Sequence, residues 1–204
     1  VQQAGDGGAG EEIACDAVAM SGGWSPVVHL WSHCGGKLTW DEAGVMFRPD
    51  PERAPTGADG APFVLTAGAA SGVLGLAEGL ADGWTVGKAA GRAMGGKAHR
   101  KVAPKAEAEE AQPIEAVWIM PAQAGPKKRM KMWLDPQNDV KVSDVQLAAR
   151  EGYESVEHTK RYTTLGMATD QGKISNINGL AVLSQALNQP IPETGTTTFR
   201  PPYT

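Results

Sequence analysis

Between Lys97 and Gln112 the chain offers a single large apolar residue, Val102, in a run of Lys, Ala, Glu and Pro. A stretch with no apolar periodicity reads as a linker or an exposed, frayed helix. It separates a glycine-rich first part from a last part of short capped helices. The 204 residues therefore read as one good-sized domain or two small ones, long enough to bury a core without disulfide staples. Cys15 and Cys34 are too few for a disulfide scaffold or a four-thiolate metal site. With Gly 26 and Pro 14, tight turns are frequent. A formal charge of −4 argues against a polybasic nucleic-acid binder or a protein held on anionic membranes. No window approaches the roughly 18 apolar residues that span a bilayer. The start, Val1-Gln2-Gln3-Ala4, has neither initiator Met nor signal peptide and reads as the interior of a longer chain; a reducing cytoplasm is the expected compartment.

Residues 13–20 form a short apolar run stopped by Ser21-Gly22-Gly23 and read as a buried strand. Trp24 to Trp40 is turn-rich, and residues 45–48 and 63–67 read as further strands. From Ser71 to about Met94, Leu74, Leu76, Leu80, Val86, Ala90 and Met94 fall near helical spacing, predicting a helix interrupted around Gly83. Ile114 to Met120 is strand-like, and 122–131 reads as a basic loop. In the last third, Ser143 is the expected N-cap of a helix over 144–151, with Gln146 three residues on and Gly152 as the stop. Ser155 opens a second helix that Gly166 ends. Residues 176–188 form a third, with Asn176 as its expected cap. Pro190, Pro192, Pro201 and Pro202 predict an extended tail.

Three turns carry chemistry. Ala67-Gly68-Ala69-Ala70-Ser71-Gly72 follows a predicted strand and precedes a predicted helix, which lets a dinucleotide approach the backbone closely. Its spacing is not G-x-G-x-x-G, no acidic residue follows at the expected distance, and an ordinary packing turn has the same composition. Ser21-Gly22-Gly23-Trp24-Ser25-Pro26 is a second glycine turn, best read as structural. Lys160 to Lys173 holds three cations, three threonines and two glycines in fourteen residues, the groups an anion site uses, and equally the makings of a solvated helix end. No Walker spacing, H-E-x-x-H or G-x-S-x-G is present. His29 and His33 are four apart but hemmed in by Pro26 and Gly35-Gly36; they, His99 and His158 read as core or solvent-facing histidines. Trp24, Trp31 and Trp40 read as core. The run Lys127-Lys128-Arg129-Met130-Lys131 reads as a solvated loop or a subunit contact.

Longer strings carry a resemblance. Gln137-Asn138-Asp139-Val140, Leu147 to Tyr153, Ser155-Val156-Glu157-His158, Lys160 to Lys173 and Gly195 to Pro202 resemble the α (large) subunit of heterotetrameric sarcosine oxidases. So do Met20 to Leu30, Gly35-Gly36-Lys37-Leu38 and Ala67-Gly68-Ala69 followed by Gly83. The resemblance leaves out about 96–130. It implies an α+β or α/β chain: residues 1–95 as the closing part of a Rossmann-like FAD/NAD-type dinucleotide-binding domain, 96–133 as linker and strand, and 134–204 as a small helical middle domain with the start of a connector. The family's first dinucleotide fingerprint and its folate-binding domain are not in this sequence. The implied activity is oxidative demethylation of sarcosine to glycine, with hydrogen peroxide or methylene-tetrahydrofolate as co-product. The implied partners are a flavoprotein β subunit and smaller γ and δ subunits. FAD resides in β, FMN at the α/β interface, and tetrahydrofolate in the domain not present; NAD belongs to α. No catalytic residue is expected in this chain.

The last third also resembles the bacterioferritin-associated-ferredoxin-like domain of related dehydrogenases, which holds a [2Fe–2S] cluster on four cysteines. The matching positions here are Asp135, Gln137, Asp170 and Ser175, so no iron–sulfur cluster is expected. In its place the cationic turn is expected to face FMN, with Lys160, Arg161 and Lys173 neutralising its phosphate and Thr163, Thr164 and Gln171 donating hydrogen bonds. Gly68, Ala69, Leu74 and Leu76 are the expected NAD contacts. Two other readings remain: the α subunit of another amine or imino-acid dehydrogenase, and a non-catalytic assembly scaffold.

Overall fold

The computed structural model describes residues 11–19, 22–97, 102–108, 110 and 114–202. Met20, Ser21, His99 and parts of the 97–112 stretch lie outside the described residues. The chain divides into two compact units, residues 22–114 and residues 115–204 together with 1–21. The segment 115–133, assigned to linker and strand from sequence, thus folds with the helical unit.

In the unit 22–114, the turn-rich stretch contains a five-residue helix, α1 (His29–His33), and a strand, β1 (Leu38–Asp41). β1 pairs antiparallel with β2 (Met46–Pro49), the strand expected over 45–48. Their turn is closed by Asp41, whose Oδ1 accepts the Ala43 and Gly44 N–H groups at 3.1 and 3.0 Å. Trp40 faces Phe47 across the pair, edge to face, with centroids 5.0 Å apart. Trp31 is buried and donates Nε1–H to the Lys37 carbonyl at 2.7 Å, whereas Trp24, expected in the core, is 80% exposed. Residues 63–67 are not a strand: Phe63 and Leu65 are exposed, and the segment finds no ladder partner. A short 3-10 turn over Gly68–Ser71 leads to α2 (Leu76–Ala93), which runs uninterrupted through Gly83.

The unit 115–204 carries α3 (Pro126–Arg129), β3 (Trp133–Asp135), β4 (Val140–Lys141), α4 (Val142–Arg150), α5 (Val156–Thr163), α6 (Asn176–Leu187) and α7 (Ile191–Thr194). Ile114–Met120 is not a strand, the basic loop contains α3, and the tail expected to be extended contains α7. The run predicted as a buried strand over 13–20 is exposed and irregular through residue 19. β3 and β4 pair antiparallel, and β4 runs directly into α4. Helix α4 therefore starts before the expected Ser143 cap: Lys141 is at the N-cap, and its N–H donates to Asp144 Oδ2 at 2.8 Å. Likewise Ser175, not Asn176, precedes α6. Gly152 ends α4 with φ +89°, as expected.

The core of this unit is α4, α5 and α6. Val142, Val145 and Ala148 of α4, Val156 of α5 and Leu180 to Leu183 of α6 are buried together with Leu134, Val140 and Leu165. Each buried Val or Leu contributes on the order of 1.5–3 kcal/mol relative to exposure. Leu165 settles directly on α6 at Gly179, where a Cβ would stand 2.3 Å from its Cδ2. That docking fixes the turn following α5. Both sheets among the described residues are two-stranded and antiparallel, so the chain is mixed helix and sheet. Among the described residues, no helix is long and apolar enough to cross a membrane.

Candidate functional site

Helix α5 ends at Thr163, and Thr164 follows in the left-handed conformation with φ 64°. The turn then descends through buried Leu165 and Gly166 and returns through Gly172 to α6. Gly166, with φ +65°, is needed here: a Cβ would fall 2.1 Å from Asn176 Oδ1. Above this turn lies an open pocket of about 200 Å³. Its floor and one wall are Gly166, Met167 and Gln171; Glu157, Lys160 and Arg161 of α5 form a second wall. The third wall comes from the tail, as Thr197, Thr198 and Arg200.

Three cations thus face one cavity: Lys160, Arg161 and Arg200. The salt bridges among the described residues are Arg48–Asp41, Arg53–Asp50 and Lys141–Asp139, none of them at this pocket. The pocket's carboxylate, Glu157, is engaged with the tail. Its Oε1 accepts the Thr197 hydroxyl and, at 3.2 Å, the Thr198 N–H. These hydrogen bonds, the Thr197 one foremost, hold the Glu157 carboxyl below its ordinary value. Burial pulls the Lys160 ammonium below the usual lysine value; Glu157 opposes this, and Arg200 and Lys173 reinforce it by repulsion. Burial lowers Lys173 as well, against the pull of Asp170.

Of the residues singled out for FMN, the fold brings Lys160, Arg161 and Gln171 to the pocket. Lys173 donates Nζ–H to the Arg200 carbonyl and so braces the tail wall. Thr163 and Thr164 do not line the cavity. Thr163 donates to the Thr159 carbonyl at 2.7 Å, and Thr164 to the Thr163 carbonyl at 2.6 Å. Glu157, Thr197, Thr198 and Arg200 were missed as site residues. The signal for the three tail residues was the second hydroxyl-and-cation run, Thr196 to Arg200, about 30 residues beyond the first.

Of the four positions matching cluster cysteines, Asp135, Gln137 and Asp170 carry side chains engaged in hydrogen bonds of their own. Asp135 is 2% exposed; its Oδ1 accepts the Gln137 and Asn138 N–H groups at 3.0 and 3.2 Å, and its Oδ2 the Gly166 N–H at 2.8 Å. Gln137 accepts the Thr169 hydroxyl at 2.8 Å, and Asp170 accepts the Gly172 and Ile174 N–H groups, both at 3.2 Å. Two carboxylates, an amide and the buried Ser175 hydroxyl are hard oxygen donors and do not fit an iron–sulfur cluster. Among the described residues, no group of three or more His, Cys, Asp or Glu is placed to hold a metal ion.

At the other turn, Gly68 has φ +58° and its N–H donates to Asp82 Oδ2 at 2.7 Å. The Ser71 hydroxyl reaches the same oxygen at 3.1 Å and the Gly68 carbonyl at 2.9 Å. Asp82, from the second turn of α2, therefore takes the donors a pyrophosphate would need, and its own charge would oppose one. Ala69, Leu74 and Leu76 are exposed beside it.

Residues 129–204 match the sarcosine oxidase A3 domain family. The chain is 42% identical over 199 residues to the sarcosine oxidase subunit alpha of Rhizobium meliloti (strain 1021), covering 97% of this chain and 19% of that protein. It is 39% identical over 197 residues to the subunit alpha of Corynebacterium sp. (strain P-1), across 95% of this chain and 19% of the relative. The chain spans about a fifth of the length of these relatives. A crystal structure of L-proline dehydrogenase from P. horikoshii shares the fold over 87% of this chain and 35% of its own, with a TM-score of 0.57 and 22% identity. Over nearly its whole length, then, the chain resembles a segment of sarcosine oxidase α subunits, and its last 76 residues match their A3 domain.

Proposed function

We propose that this chain is a cofactor-holding segment of a flavin-dependent, sarcosine oxidase-like oxidoreductase, and that the pocket between α5 and the tail receives the phosphate of FMN at an interface with a flavoprotein β subunit. The observation that carries this reading is the convergence of Lys160, Arg161 and Arg200 on one cavity whose single carboxylate, Glu157, spends its hydrogen bonds on the tail. A phosphate monoester is a dianion near neutral pH, with directed acceptor oxygens that guanidinium groups match. FMN, when bound, would supply the electron transfer to oxygen. Arg161 and Arg200 would bind its phosphate, Lys160 would add charge, Gln171 would orient it, and exposed Met167 would offer an apolar contact. Amine oxidation, yielding glycine with hydrogen peroxide or methylene-tetrahydrofolate, falls to the FAD of β, and the smaller γ and δ subunits complete the assembly. Among the residues of this chain we assign no catalytic role and no iron–sulfur cluster.

NAD is the weaker assignment. Gly68 does not fit a pyrophosphate while Asp82 holds its N–H, so only the apolar surface of Ala69, Leu74 and Leu76 supports a dinucleotide ring. The alternative reading, the α subunit of another amine or imino-acid dehydrogenase, draws on the likeness to L-proline dehydrogenase; identities of 39–42% to sarcosine oxidase subunits favour the first. The test is Arg161→Ala in the whole protein with its partners. Flavin content per assembly should fall, and unchanged flavin content together with an unchanged oxidase rate would sink the proposal.

A further inference from the structure

The tail wall of the pocket is not held by a strand or a helix. It is held by side chains. Glu157 Oε1 accepts from the Thr197 hydroxyl and the Thr198 N–H, and Lys173 Nζ–H donates to the Arg200 carbonyl. Thr197 is 8% exposed, so its hydroxyl is spent inward rather than offered to a ligand. Arg200, by contrast, is exposed and lines the cavity. Glu157 is also the carboxylate that lines this cationic pocket, where by charge alone it should weaken any anion. Its geometry gives it a different task.

We propose that Glu157 is a positioning residue for anion binding: by gripping Thr197 and Thr198 of the tail, it holds Arg200 across the pocket from Lys160 and Arg161, so that a third cation joins a site α5 alone would build with two. This rests on the reading of the pocket as a phosphate site. It goes beyond that reading by making the site composite, with one cation recruited from about 40 residues away through a carboxylate that touches no ligand. The lowered proton affinity of Glu157 is consistent with a grip that persists into mildly acid solution.

Charge and grip make opposite predictions, and that makes the inference testable. Removing a negative charge beside three cations should tighten anion binding. Removing the grip should weaken it by freeing Arg200. The probe is inorganic phosphate, titrated calorimetrically into the whole protein freed of flavin, with the fold checked by circular dichroism. Glu157→Gln keeps an acceptor oxygen for the tail and should bind phosphate as tightly as the parent or more so. Glu157→Ala should bind about tenfold more weakly, the scale of one lost charge-assisted hydrogen bond. Arg200→Gln should weaken binding by a similar factor, and the double variant Glu157→Ala/Arg200→Gln should be little worse than either alone. Thr197→Val removes a donor at constant charge and nearly constant shape; it should weaken binding about threefold, and it decides the matter if Glu157→Ala does not fold. Tighter binding in both Glu157 variants, with unchanged affinity in Thr197→Val, would overturn the positioning role. Absence of phosphate binding in the parent protein would instead overturn the phosphate reading itself, and the inference with it.

Discussion

The Gly68–Gly72 turn and the Gly166–Gly172 turn are made from similar parts: paired glycines with positive φ, hydroxyl side chains, and a carboxylate within reach. In the first, Asp82 accepts both the Gly68 N–H and the Ser71 hydroxyl, and no cation lies among the turn's own residues. In the second, Asp135 and Asp170 accept backbone N–H groups from the turn and its neighbours, while the cations of α5 and the tail face the cavity. Glycine composition alone does not distinguish the two turns. What separates the two turns is where the carboxylates spend their lone pairs and whether cations remain over.

The largest effect should come from Asp135. Asp135→Ala leaves three buried or half-buried N–H groups without an acceptor and should cost about 3 kcal/mol in urea unfolding of the whole protein. An unchanged midpoint would mean that the second turn holds itself, and the contrast with the first would lose its basis. Next, Asp82→Asn removes the charge but keeps an acceptor. It should cost about 1 kcal/mol of stability and raise the affinity of the first turn for a dinucleotide pyrophosphate, read by equilibrium dialysis with NAD. No gain would show that charge is not what separates the turns.

A third effect is in pH. Lys160 has its proton affinity lowered in the fold, chiefly by burial. The unfolded chain therefore binds the proton more tightly, so the Lys160 contribution to stability rises with pH between its lowered value and the ordinary lysine value of 10.5. A bound anion favours the charged form, so phosphate affinity should fall as pH climbs through the lowered value. Lys160→Met should flatten the alkaline limb of a calorimetric pH series; a persistent slope would place the titration elsewhere. The smallest effect is expected for Leu76→Ala. Its side chain is 58% exposed, so stability should change by less than about 0.5 kcal/mol, while loss of bound NAD would make the first turn a site after all.

The helices α4, α5 and α6 were legible because their apolar spacing and glycine stops are local signals. The start of α4 was not, since Val140 and Val142 are both buried and the chain passes from β4 into the helix with no break for a Ser143 cap to mark. Residues 63–67 have strand-forming side chains, but a strand exists only with a partner, and partnership is not written in five residues. The cationic turn was visible in Lys160, Arg161 and Gln171. Thr163 and Thr164 looked equally suitable, yet each hydroxyl closes on a nearby carbonyl, as threonines at helix ends tend to do. The pairing of Glu157 with Thr197, across 40 residues, has no periodicity to reveal it.

The Thr198 amide has a consequence of its own. Its proton is held by a side-chain oxygen of Glu157 rather than by any ladder or helix, whereas the amides around Ala181 to Leu183 sit in the fully buried turns of α6. In deuterated water these amides should exchange on separate clocks. The α6 protons wait for the unit as a whole to open, and the Thr198 proton waits only for one carboxylate to let go. A single amide then reports how often the tail leaves the pocket, and slowing of that one clock on adding phosphate would time the closing of the site.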